Sequence, residues 1–134
     1  MKHNVTFKST LKINMDAHPK GEELAMYLYE KLAQKGFMIS NFDNYEDFAW
    51  SVDIGSAKSK PWLLTGYVGD EDYEWLIQIN SGIGIIGKLF GKSDVSECDS
   101  IAIKLDEILK AEATFYTIRW HVGDFAKDEF SITP

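Results

Sequence analysis

The sequence predicts an α+β fold: a mainly antiparallel sheet of about five strands with two helices packed on one face, in the order β-α-β-β-β-α-β. Three observations carry this. Apolar and polar residues alternate with a period of two over residues 5–14, 48–55, 62–68, 73–79 and 114–122. Two other segments, residues 24–33 and 98–109, space their apolar residues at the helical repeat instead. Finally, the middle strands follow one another with no helix between them, which favours an antiparallel meander that two amphipathic helices can cover.

The first strand sends Val5, Phe7, Leu11 and Ile13 one way and Thr6, Lys8, Thr10 and Lys12 the other. Asp16, Ala17, His18 and Pro19 then prepare a helix. Pro19 suits its first turn, Glu22 and Glu23 complement the helix dipole, and Leu24, Leu28 and Leu32 form the apolar stripe. Gly36 is the expected C-terminal cap. Residues 37–47 mix Phe37, Ile39 and Phe42, which need burial, with the loop formers Asn41, Asp43, Asn44, Glu46 and Asp47. The next strand is expected to face Phe48, Trp50, Val52 and Ile54 inward, with Ser51 and Asp53 outward.

Residues 61–81 read as a β-hairpin around the polar loop Gly69-Asp70-Glu71-Asp72. A plain loop of that length pairs Val68 with Tyr73, Gly66 with Trp75, Leu64 with Ile77 and Trp62 with Ile79. It gathers Trp62, Leu64, Val68, Tyr73, Trp75, Ile77 and Ile79 on the core face. Asp94 with Glu97, or Ser96 with Asp99, then offers a helix cap. Cys98, Ile101, Leu105, Ile108 and Leu109 share the buried face of that helix. In the last strand Tyr116, Ile118, Trp120 and Val122 are expected inward, and Phe115, Thr117, Arg119 and His121 outward.

A chain of 134 residues, 45% hydrophobic, is read as one domain over 1–134 with a substantial core. It has no apolar run long enough for a membrane span and no secretory leader at its start, and its single Cys98 leaves no intrachain disulfide. The expected location is therefore cytoplasmic. A net charge of −7 argues against nucleic acid and suits a basic protein partner, with plain solubility as the simpler account.

Several motifs resemble chemistry and are set aside. Gly82-Ile83-Gly84-Ile85-Ile86-Gly87 fits the dinucleotide pattern GxGxxG but lacks a parallel βαβ surround. Gly91-Lys92-Ser93 ends like a phosphate loop, yet Ile86 occupies the position of its first glycine. His3, His18 and His121 have no metal-ligand spacing, and Cys98 belongs to an apolar helix face. No cofactor is expected.

The candidate binding surface is the sheet face away from the helices. Tyr67, Phe115, Arg119 and His121 are expected to meet there as an anion- or peptide-binding group, with His121 able to exchange protons. The acidic turn Asp70, Glu71 and Asp72 adds attraction for a basic partner. The leading expectation is a small acidic, non-enzymatic recognition protein of the inhibitor or immunity type. The alternatives are a small-ligand protein or enzyme using that face or a helix–sheet pocket, and a subunit that oligomerises through it.

Overall fold

The computed structural model describes residues 1–55, 60–82, 96–123 and 129–134. Along them run β1 (Asn4–Ser9), α1 (Glu22–Gln34), β2 (Ile39–Tyr45), β3 (Ala49–Ile54), β4 (Trp62–Tyr67), β5 (Trp75–Asn80), α2 (Ser96–Ala111) and β6 (Phe115–His121). The strands form one antiparallel sheet of six, ordered β2-β3-β4-β5-β1-β6. The α+β class is as expected, with six strands in place of five. The additional strand is β2, whose Asn and Asp content reads as loop. A bulge between Ser40 and Asp43 absorbs that composition, with Asn41 at φ 54°, a conformation Asn tolerates. The expected glycine-rich motifs over 83–93 and the Asp94 cap lie outside the described residues.

Both helices cover the same sheet face. α1 buries Leu24, Ala25, Leu28, Tyr29 and Leu32, and α2 buries Cys98, Ile101, Ala102, Leu105, Ile108 and Leu109. They join Val5, Phe7, Val52, Leu63, Ile77 and Trp120 in one apolar cluster, where each large aliphatic side chain contributes about 1.5–3 kcal/mol through burial. Gly36 ends α1 as expected: at φ 101° it donates to the Ala33 carbonyl while Phe37 donates to that of Leu32. The start of α1 differs from expectation. Gly21 occupies the N-cap, and Pro19 precedes the helix with its carbonyl accepting from Trp50 Nε1 at 3.2 Å.

Two bulges overturn the facing expected from alternation. In the β4–β5 hairpin, Val68 and Gly69 both donate to the Glu74 carbonyl, and Asp70 donates to Tyr73. Gly69, at φ 69°, is thus one extra residue beside a tight turn, and it moves the register by one. Leu64 pairs with Gln78 and Thr65 with Ile77. Trp75, Ile77 and Ile79 still point to the core, but Leu63 and Thr65 join them there, while Trp62, Leu64 and Gly66 take the opposite face, which is helix-free among the described residues.

In β6 the extra residue is Thr117, at φ 55°, where the pairing with β1 shifts between Thr6 and Lys8. Phe115 therefore turns inward and meets Phe7 edge-on at 5.6 Å, and Tyr116 turns out to 44% exposure. Phe48 lies outside β3 and is also exposed rather than inward.

Gly21 has a second duty besides its φ of 94°: a Cβ there would run into the buried ring of Trp75. Gly21→Ala combines left-handed strain with overpacking and should cost about 2–4 kcal/mol. Urea denaturation checks this; a midpoint unchanged from wild type would contradict the packing.

Candidate functional site

The expected surface residues do not come together. Tyr67 lies on the helix side, its ring edge-on to Trp75 at 5.0 Å with Lys20 Nζ 5.9 Å from its centroid. It is three strands from β6, a separation of about 14 Å at normal strand spacing. Phe115 is in the core. Asp70, Glu71 and Asp72 are exposed at the hairpin tip, where Asp70 Oδ1 accepts the Asp72 N–H at 3.0 Å.

Arg119 and His121 do share the helix-free face, in register with Thr6 and Asn4 on β1. The C-terminal segment closes over them. Trp120 and Ser131 exchange backbone hydrogen bonds, which sets Phe130 beside His121, ring centroids 6.4 Å apart, and under the Arg119 guanidinium at 4.5 Å. Lys110 Nζ donates to the Ile132 carbonyl, and Lys2 Nζ to Ser131 Oγ, both at 2.6 Å.

His121 is consequently only 2% exposed, with Nε2 on Thr6 Oγ1 at 2.8 Å and Nδ1 without a partner at good hydrogen-bond geometry among the described residues. Burial pushes its pKa below the ordinary imidazole range; the nearby Glu129 backbone opposes this, and the charges of Arg119 and Lys2 reinforce it. The result is a neutral histidine inside a structural contact, without an open side for a substrate.

Other reactive groups are also committed to packing. Burial raises the Tyr29 phenol, whose hydroxyl bonds Thr65 Oγ1 at 2.6 Å and the Trp50 carbonyl at 3.2 Å. Burial, with Asp99 and Glu97 beside it, raises the Cys98 thiol, opposite in sign to an activated nucleophile. Among the described residues no three His, Cys, Asp or Glu side chains are placed to hold a metal ion, and no helix is long and apolar enough to cross a membrane.

The bulge-shifted register creates a different surface. On the helix-free side, small Ala49 and Ser51 on β3 leave room for rings to approach over them. Tyr45 there packs 5.6 Å from Phe48 and 5.8 Å from Trp62. Next to this row is a groove of about 290 Å³, with Leu64, Gly66 and Leu76 among its lining and the exposed Phe48 and Val68 as walls. The register sets Ala49 opposite Gly66, so the β2–β3 and β4–β5 turns stand side by side at this end of the sheet. They carry Glu46, Asp47, Asp70, Glu71 and Asp72, all exposed and outside the ion pairs formed among the described residues.

Two further depressions are present. One, of about 240 Å³ between α1 and β2, is apolar and includes Met26, Tyr29, Ala33 and Phe42. The other, of about 470 Å³ at the opposite end of the sheet, has a mixed lining that includes Asn41, Asp53, Lys60 and Trp62. Alternation alone could not place Trp62 and Leu64 outside; the available signal was Gly69 before Asp-Glu-Asp, a composition that also suits a bulged turn.

Fold and surface together define an α+β protein with one sheet face covered by α1 and α2 and an opposite, aromatic-rich face edged with acid and partly covered by the C-terminal segment. No protein-family model, curated protein or solved structure matches the chain.

The state of His121 has a consequence for stability. Its folded pKa is depressed, so its contribution is complete above the unfolded value of about 6.5 and is lost as pH falls toward the folded value. Between about pH 7 and pH 5, wild type should lose stability more steeply than His121→Gln. Parallel curves for wild type and His121→Gln in urea titrations would contradict this assignment.

Proposed function

We propose that this protein is a non-enzymatic recognition protein, inhibitor- or immunity-like, that binds a basic protein. The observation that supports it is the pair of adjacent hairpin turns with five exposed carboxylates that form no ion pair among the described residues: Glu46, Asp47, Asp70, Glu71 and Asp72. Carboxylates on neighbouring turns add their fields, which speeds encounter with an opposite charge and repels wrong partners. The nearby Tyr45, Phe48 and Trp62 supply the residue types that anchor protein interfaces. The buried His121 gives the enzymatic alternative no comparable support.

A second reading, a small-ligand protein, is favoured by the depression near Asp53 and Lys60, whose lining mixes charged and apolar groups. Its volume of about 470 Å³ falls within the usual range for small-molecule sites, about 300–1,000 Å³.

Capture from native lysate separates the two. Wild type is expected to retain a specific basic protein that high salt releases. A variant with all five carboxylates neutralised to Asn or Gln should associate with it about tenfold more slowly at low salt. An unchanged association rate, or a retained metabolite with no protein, would refute the proposal, the latter in favour of the ligand reading.

A further inference from the structure

We infer that the groove between β3, β4 and β5 on the helix-free face docks an extended basic segment of a partner protein, seating one large apolar or aromatic side chain. This rests on the recognition reading above and supplies its contact site. The groove contains Leu64, Gly66 and Leu76, and at about 290 Å³ it is at the low end for a metabolite. That size suits a single anchoring side chain.

Charge selects what surrounds the anchor. The walls Phe48 and Val68 adjoin turns bearing five carboxylates, so Lys or Arg beside the anchor would find opposite charge at that end of the groove. An acidic or neutral segment would lack that attraction. Gly66 keeps the floor low. A Cβ there meets Ala49 Cβ and the Phe48 carbonyl oxygen at 3.7 Å, ordinary contacts, so the strand can accept a side chain and the space above it can be filled.

The test titrates the full chain with two capped peptides, Lys-Lys-Phe-Lys-Lys and the same sequence with Ala at its centre, following backbone amide shifts by NMR. The Phe peptide should shift Leu64, Gly66, Val68 and Leu76 and bind at least about tenfold more tightly than the Ala peptide. Gly66→Leu, which fills the groove, should remove this preference. Val68→Lys, at a 42% exposed wall position, should weaken the Phe peptide without threatening the core and serves if Gly66→Leu fails to fold. Equal binding of the two peptides, shifts confined to the two acidic turns, or no binding of either peptide would overturn the inference. Recognition of a basic protein is decided separately by the capture experiment, so the groove can fail while that reading stands.

Discussion

Gly69 fixes which half of the apolar inventory meets the helices. In an antiparallel pair, moving the register by one residue reverses the facing of one whole strand relative to the other. The left-handed glycine adds one residue on the β4 side of the turn, so Leu63 and Thr65 enter the core opposite Ile79 and Ile77 while Trp62 and Leu64 leave it. A side chain at Gly69 would need a backbone conformation that L-residues other than Asn and Asp rarely adopt. The outward placement of Trp62 and Leu64 is therefore a direct result of turn geometry.

The helix-covered side shows how such a register is held. Trp75 lies against Gly21, Tyr67 meets Trp75 edge-on, and Phe42 stacks on Trp50 at 5.1 Å. Thr65, a polar residue drawn into the core by the shift, is paired with the Tyr29 hydroxyl, so its burial leaves no unsatisfied group. At the other end of the sheet Trp120 donates to Asp106 at 2.8 Å, and Lys110 bonds that carboxylate and the Ile132 carbonyl together. These ties cover the outer edge of β6 with the chain's own last residues. A sheet edge otherwise exposed to strand addition is thereby partly protected.

What was legible in the sequence was whatever local periodicity determines. Leu24, Leu28 and Leu32 marked α1, Gly36 its end, and Cys98 through Leu109 the buried side of α2. Strands β1, β3, β5 and most of β6 followed from alternation. Period-two reasoning failed where a residue was inserted: at Asn41, Gly69 and Thr117 the alternation changes phase within an element. Thr117 offered no warning, since a β-branched residue seldom adopts positive φ. The candidate surface inherited these errors, placing Phe115 and Tyr67 on the wrong side. The burial of His121 depends on Phe130 and the tail, contacts between segments that no local pattern records.

Among the described residues the molecule commits His121, Cys98 and Tyr29 to packing and leaves an aromatic, acid-edged sheet face uncovered by α1 and α2. The outward placement of Trp62 and Leu64 follows from the β4–β5 pairing, which cross-strand proton contacts in an NMR spectrum report directly. Contacts linking Leu64 to Gln78 and Thr65 to Ile77 are the expected result. Contacts linking Leu64 to Ile77 and Gly66 to Trp75 instead would return Trp62 and Leu64 to the core and contradict the account.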